Sequence, residues 1–479
     1  MKQFKLLVAL VLALTLVLSL SASALAGTIT ITPPTGLDAS ATNTYTIYKV
    51  FDAVQSNAGI SYKLVDGKTT APAGFSVDNA GNVTYSGSGT NGQLTDADIA
   101  AIRAYVTDAD KVGTIVTTGS TANTSSDVGT GYFFIDTTTG TVVTIDSTNP
   151  NADVNDKNTV PGVDKTITGA SSVDDDGKKA LAQVGTVVDY QAVITIGKGA
   201  KGYIFHDTME NGLKYNNDAA VTGVTAGNDT YTVGQAGNDT FTITFSDDYI
   251  KTLTVGSTLT VTYSATVTED AITRDPLNNT CYVSYGDANS NNRTPDSEAD
   301  VWAAKITVTK QDGDNKPLAN AGFVIQNKTS GAYYKFVAAD TADDPTTTGV
   351  DESVNHIVWY TLAANETLEA AITAGKVTEY KSDATGAVHA FTGLANGTYT
   401  LIESTVPEGY NKAADIDFTI AEHNYTVGNL EQAATVTNNA GQELPSTGGI
   451  GTTIFYIAGA VLVLGAAAVI LARRKAEQE

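Results

Sequence analysis

Ile454 to Leu471 is an 18-residue apolar run without a charged side chain, and no water-soluble domain accommodates it on its surface. As a helix it spans about 27 Å, close to the hydrocarbon thickness of a bilayer. Arg473, Arg474 and Lys475 follow it directly, and such a basic cluster stays on the cytoplasmic side. A second, almost wholly apolar run, Leu6 to Leu20, follows Lys2 and Lys5. Ala24-Leu25-Ala26 then has the small-x-small form of a signal-peptidase site, and cleavage after Ala26 is expected. What folds in water is the stretch from Gly27 to just before the C-terminal run.

That body is long enough for about three domains. The whole chain carries −24; without the two signal lysines and the net +1 of the tail, Gly27 to Thr447 carries −27. Such a surface stays soluble and repels nucleic acid. The one cysteine, Cys281, excludes an internal disulfide, so an exported chain of this length has any reinforcement from elsewhere. Short alternating runs rich in Thr, Val, Tyr, Asn and Gly lie between turn residues, and predict an all-β chain of sandwich-like domains. Two helices are expected besides. Thr95-Asp96-Ala97-Asp98 leads into Ile99, Ile102 and Val106 as a capped amphipathic helix, and Asn365 to Thr373 is the other. Polar, proline-marked stretches at 149–161 and 287–295 set the boundaries: a signal peptide 1–26, domains 27–160, 161–303 and 304–440, and a C-terminal segment 441–479. Ala226-Gly227-Asn228-Asp229-Thr230-Tyr231-Thr232 is echoed by Ala236-Gly237-Asn238-Asp239-Thr240-Phe241-Thr242, which reads as a hairpin.

Strand alternation places side chains two apart on one face. Val163, Lys165 and Ile167 then share an apolar face, as do Tyr203, Phe205 and Asp207, and Asn279, Cys281 and Val283. The pattern recurs with Ile306, Val308 and Lys310, with Tyr399, Leu401 and Glu403, and with Ala434, Val436 and Asn438. The second and third domains each place a lysine on an early strand, an acid mid-domain and an asparagine on the last strand. Singly, these read as a snorkelling lysine, a surface acid and a turn asparagine. Six isolated polar groups on buried faces are costly, so chance placement is unattractive.

Burial favours the neutral amine of a lysine and the protonated form of a carboxylic acid. A neutral amine held against an asparagine can attack its side-chain carbonyl carbon, with the acid binding the carbonyl and relaying protons as ammonia leaves. The product is an intramolecular Lys–Asn isopeptide bond, made without an external enzyme because the fold holds the reactants in contact. The expected sets are Lys165, Asp207 and Asn279, and Lys310, Glu403 and Asn438.

Leu444-Pro445-Ser446-Thr447-Gly448, with the apolar run and the basic tail, resembles the cell-wall sorting signal of Gram-positive surface proteins. In that family a membrane sortase cuts the Thr–Gly bond, here Thr447–Gly448, and passes the threonine acyl group to an amine. Ile306-Thr307-Val308-Thr309-Lys310 with Pro317-Leu318-Ala319-Asn320-Ala321-Gly322-Phe323 resembles the opening of a Cna-B-type domain. Tyr399-Thr400-Leu401-Ile402-Glu403 before Pro407-Glu408-Gly409-Tyr410 is similar to the pilin E-box, and Thr437-Asn438 to the closing asparagine. Val163-Asp164-Lys165, Phe205-His206-Asp207-Thr208 and Asn279-Thr280-Cys281-Tyr282-Val283-Ser284-Tyr285 resemble the second pilin domain. The chain thus resembles sortase-assembled backbone pilins of the SpaA type, which implies tandem Ig-like, Cna-type β-sandwiches, weakest in likeness over the first domain. It implies as partners a sortase, other copies in a head-to-tail filament, tip and base pilins, peptidoglycan and host ligands, with no nucleic acid. It places the chain at the cell surface, secreted and covalently anchored to the wall.

Polymerisation in that family uses the lysine of a YPKN-like motif before the second domain. Asp156-Lys157-Asn158 lies there, eight residues before Lys165, with Asn155-Asp156 in place of Tyr-Pro. Lys157 is thus either the acceptor amine or a solvated linker lysine. Lys49 sits among Tyr45, Ile47 and Phe51, but no closing asparagine accompanies it. His206, His356, His389 and His423 are scattered, and no HExxH, GxSxG or P-loop occurs. Asp287, Asn289, Asn291 and Glu298 have calcium-loop spacing, but Asn292 replaces the glycine and the flanks read as strands. Asp174-Asp175-Asp176 reads as a solvated acidic turn. No cofactor, metal site or external catalytic centre is expected. Two functions fit: a covalently polymerised shaft subunit, or a monomeric wall-anchored adhesin or accessory pilin built from the same domains.

Overall fold

The computed structural model describes residues 27–476 except 57–58, 91, 138–139, 147, 273–275, 287–291, 340–351 and 442–449. The expected signal peptide, Asp287 to Asn291 of the calcium-spaced loop, and Leu444, Pro445, Thr447 and Gly448 lie outside the described residues. The described chain is mostly β, in six sheets that face one another in three sandwiches.

In the first sandwich, Thr28–Thr32 lies between Asn151–Asn155, which runs parallel to it, and Asn123–Thr124. The facing seven-stranded sheet is organised by the long strand Thr42–Ser56. Ile29, Ile31, Ile47, Phe133 and Ile135 fill the space between the sheets. The helix Asp96–Tyr105 covers the outer side of the larger sheet, packing Ile102 beside Val50, Phe51 and Phe134. Its capping box is formed: Asp98 N–H donates to Thr95 Oγ1 at 3.2 Å, and Thr95 N–H donates to Asp98 Oδ2 at 2.8 Å. The second expected helix begins later than Asn365, at Leu368–Thr373 with Thr367 as N-cap, because Asn365 takes the left-handed backbone (φ 69°).

In the second sandwich, a five-stranded sheet begins Gly162–Gly169, Val187–Thr195, Thr258–Val267, and faces an eight-stranded sheet. The larger sheet contains Ser297–Trp302, Leu277–Tyr285, Ile204–Met209 and Phe241–Phe245 in that spatial order. Tyr231–Gly234 pairs antiparallel with Phe241–Phe245, so the duplicated motif forms the expected hairpin. In the third sandwich, Ala304–Asp312 is the centre of a three-stranded sheet, between Ala387–Leu394 and the parallel Glu431–Asn438. It faces a six-stranded sheet containing Gly322–Asn327 and Gly397–Thr405.

One apolar core runs without interruption through the second and third sandwiches. At their junction the rings of Trp302 and Tyr425 lie 4.7 Å apart, Trp359 Nε1 donates to Gln183 Oε1 at 2.7 Å, and Val184 N–H donates to the Gly393 carbonyl at 3.1 Å. Between the first and second sandwiches there is instead a cleft of about 300 Å³, lined by Tyr45, Asp156, Asn158, Lys198, Tyr203 and Tyr285 among others. The C-terminal helix is Ile450–Ala476; its most apolar 18-residue window has mean hydropathy 2.6, and none of that window is buried.

Candidate functional site

All six polar residues placed on apolar faces are buried: Lys165, Asp207, Asn279 and Lys310 are 0% exposed, Asn438 1% and Glu403 4%. The local cause is visible in each strand. In Gly162–Gly169 and Ala304–Asp312 exposure alternates, and the lysine takes the same inward register as Ile167 or as Ile306 and Val308.

In the second sandwich the three side chains meet. Lys165 Nζ donates to Asp207 Oδ2 at 2.7 Å and to Asn279 Oδ1 at 2.5 Å. The lysine stands on the five-stranded sheet; the acid and the asparagine stand on adjacent strands of the facing sheet, with Asp207 opposite Cys281 and Met209 opposite Asn279. Lys165 is further fixed by its backbone N–H, which donates to Ser297 Oγ at 2.9 Å. Burial pushes the Asp207 carboxyl above its usual range, against the pull of Lys165. Asn279 is not on the last strand, as expected from the chain order: Asn292–Arg293 and Ser297–Trp302 come after it and pair with its strand. The asparagine strand is instead interior to its sheet, where both edges are hydrogen-bonded.

A fourth residue completes this cluster. Tyr263 O–H donates to Asp207 Oδ2 at 2.5 Å and receives a 3.4 Å bond from Asn279 Nδ2. Burial pushes its phenol well above the ordinary range, with Asp207 adding to the effect, so it stays protonated. In sequence it alternates with Leu259, Val261, Ala265 and Val267 and reads as an ordinary core aromatic. The only hint is that a buried tyrosine hydroxyl needs a polar partner.

The third sandwich is arranged differently. Asn438 Nδ2 donates to Glu403 Oε1 at 2.7 Å, and Ala413 N–H holds Glu403 Oε2 at 2.8 Å. Lys310 Nζ donates to the carbonyls of Gln311 at 3.0 Å and Val436 at 3.2 Å rather than to the acid. Lys310 is opposite Val436 and Asp312 is opposite Asn438 on the paired parallel strands, so the amine reaches along its strand towards the asparagine. Asn438 Oδ1 is buried without a hydrogen-bond partner. Burial lowers the Lys310 pKa, although Glu403 and Asp312 oppose the shift. Both clusters hold an amine with low solvation near a carboxamide and an acid, which is the set needed for amide exchange with loss of ammonia.

Lys157 is exposed and follows the strand Asn151–Asn155. Its neighbours are tied down: Asp156 N–H donates to the Thr32 carbonyl at 2.9 Å, Tyr45 O–H donates to Asp156 Oδ2 at 3.0 Å, and Asn158 N–H donates to Asp156 Oδ1 at 2.9 Å. An accessible amine thus projects from a fixed backbone, beside the cleft between the first two sandwiches. Among the described residues Lys49 has no asparagine partner; it lies 3.4 Å from Asp52 and over the Phe133 ring. His206 bridges Asp239 and Ser284 at 2.8 and 2.9 Å and stacks on Tyr282. Among the described residues, no three His, Cys, Asp or Glu side chains are grouped to hold a metal.

Comparison with known proteins agrees with this architecture. Residues 304–433 match the SpaA prealbumin-like fold domain, and residues 436–478 match the LPXTG cell wall anchor motif. The T6 backbone pilin of serotype M6 Streptococcus pyogenes superposes with a TM-score of 0.52 at 15% identity, over 83% of this chain and 80% of that one. The pilus 2b backbone protein of group B streptococcus is 25% identical over 59% of this chain and 99% of its own, with a TM-score of 0.43. The major pilin SpaD from Corynebacterium diphtheriae is 16% identical over 87% and 98%, with a TM-score of 0.44. No curated protein sequence matches the chain. The fold is that of a Gram-positive backbone pilin. The chain itself carries a SpaA-type domain and an LPXTG anchor, and is a cell-surface protein covalently attached to the cell wall.

Proposed function

We propose that this chain is the shaft subunit of a sortase-assembled pilus, with its second and third sandwiches closed by Lys165–Asn279 and Lys310–Asn438 isopeptide bonds. The observation that carries this reading is the buried Lys165, Asp207 and Asn279 cluster, in which the lysine amine contacts both the acid and the amide across two facing sheets. A covalent link there prevents the sheets from parting under tension. Asp207 and Glu403 act as the acids, and the three domains are taken as 27–160, 161–303 and 304–440. The chain is a substrate of its sortase, not a catalyst, because the nucleophile of that reaction belongs to the sortase. Thr447 of one subunit joins the Lys157 amine of the next. Head-to-tail joining through two different sites gives an open filament. Peptidoglycan receives the terminal subunit, and tip or base pilins and host ligands are further partners of such a shaft.

The test is a blot of wall extracts from cells making the wild type and Lys157→Arg. Arginine keeps the charge but removes a usable amine. The expected result is an SDS-resistant high-molecular-weight ladder in the wild type only, with the variant monomer still reaching the wall. A ladder in both moves the acceptor to another lysine. A wild type with no ladder alongside its cognate sortase leaves the monomeric adhesin.

A further inference from the structure

We infer that Tyr263 is a catalytic residue of the second-sandwich cross-link, relaying a proton from Asp207 to the departing nitrogen of Asn279. The inference rests on the isopeptide reading above and adds a role which that reading does not require.

The geometry poses a problem that Tyr263 solves. When the Lys165 amine attacks Asn279 Cγ, the new C–N bond forms at Lys165 Nζ and the old one must break at Asn279 Nδ2. One proton has to leave Nζ and one has to reach Nδ2, or the better leaving group is the attacking amine. Asp207 Oδ2 is well placed to receive the first proton, at 2.7 Å from Nζ. Asp207 has no hydrogen bond to Asn279: Oδ1 is buried without a partner, and Oδ2 is held by Lys165 and Tyr263. The acid therefore does not reach the leaving nitrogen directly. The Tyr263 hydroxyl touches both, at 2.5 Å from Asp207 Oδ2 and 3.4 Å from Asn279 Nδ2.

The step balances without an outside reactant. Asp207 begins protonated and gives its proton to the Tyr263 oxygen as the phenolic proton passes to Nδ2. The Asp207 carboxylate then takes the proton that leaves Lys165 Nζ. The Cγ–Nδ2 bond breaks and ammonia leaves. Asp207 and Tyr263 end in the protonation states in which they began.

The third sandwich provides the contrast. There Glu403 holds Asn438 Nδ2 itself, at 2.7 Å, so its leaving nitrogen is in contact with the acid and needs no intermediary. Tyr190 provides a control within the second sandwich. Its ring stacks on Tyr263 at 5.4 Å, and its buried hydroxyl lies against Asn279 but makes no hydrogen bond to Asp207, so it cannot take the acid's proton.

The experiment follows cross-linking in full-length chain made by cell-free synthesis, with detergent present for the apolar helix. Intact mass against time counts the ammonias lost, and peptide mapping assigns each to its site. In Tyr263→Phe the Lys165–Asn279 link is expected to form about a hundredfold more slowly, the range for loss of a positioned proton-transfer group. The Lys310–Asn438 link in the same molecules is expected to form at the wild-type rate, and Tyr190→Phe is expected to match the wild type at both sites. A second-site link formed at the wild-type rate in Tyr263→Phe overturns the relay alone. Equal slowing in Tyr190→Phe also overturns it, since the effect would then follow the packing of the pair. No linkage in the wild type overturns both the relay and the reading on which it rests.

Discussion

Lys165 Nζ lies 2.5 Å from Asn279 Oδ1 although the two residues are 114 positions apart and stand on facing sheets. In the third sandwich the corresponding strands are neighbours in one sheet, paired in parallel. A link in the second sandwich ties sheet to sheet, and a link in the third ties the opening strand to the closing one.

Both links remove ammonia, so the mature chain is expected to weigh less than its sequence by two ammonias. Asp207→Ala and Glu403→Ala are each expected to restore one. By analogy with a disulfide closing a loop of this length, each lost link costs about 4–5 kcal/mol. Intact mass and thermal unfolding measure both effects. A wild-type mass equal to the processed sequence would rule the links out.

Their pH dependence has opposite signs at the two sites. Burial lowers the Lys310 pKa from 10.5, so the free amine becomes available as pH rises through the lowered value, and third-site linkage should accelerate there. The Asp207 pKa is raised from 3.8 by burial, so its protonated form is lost as pH rises through the raised value, and second-site linkage should slow there. In an Asn438→Ala chain, which cannot link, the unfolded Lys310 binds more protons than the folded one between the lowered value and 10.5. That fold gains stability as pH rises and loses it as pH falls through the lowered value. Refolding at a series of pH values, followed by mass, reads the rates; denaturant titration reads the stability.

Replacing Thr447-Gly448 by Ala-Ala is expected to leave the chain membrane-bound and unpolymerised. Pro445 biases the motif towards an extended or turn form, and Gly448 allows close backbone approach at the scissile bond. Fractionation of wall and membrane separates the outcomes, and normal wall-linked product from the variant would refute the cleavage site.

The junction of the second and third sandwiches is expected to be intolerant of a methyl group at Gly393. That residue has φ 72°, and a Cβ there would lie 2.7 Å from Val184 Cγ2 and 2.8 Å from Ile357 Cδ1. Gly393→Ala should cost about 1–3 kcal/mol and loosen the two sandwiches from one another. Limited proteolysis that leaves the variant as resistant as the wild type would show that the shared core tolerates the change.

What the sequence determined by itself was local. The apolar run with its basic stop and the LPSTG motif are contiguous, and the Thr95 cap and the duplicated hairpin depend on neighbours a few residues apart. The inward register of Lys165, Asp207, Asn279, Lys310, Glu403 and Asn438 followed from a period of two along single strands. The tertiary structure decided which of these residues touch. It set Asp207 against Lys165 but Glu403 against Asn438, put Asn279 on an interior strand, and brought Tyr263 between acid and amide. It also joined the second and third sandwiches through one core while leaving a cleft beside Lys157. The physical reason is range. Alternation along a strand is governed by adjacent peptide units, whereas contacts across a sandwich depend on sheet order and stacking among residues far apart in the chain, on which a strand's own periodicity carries no information.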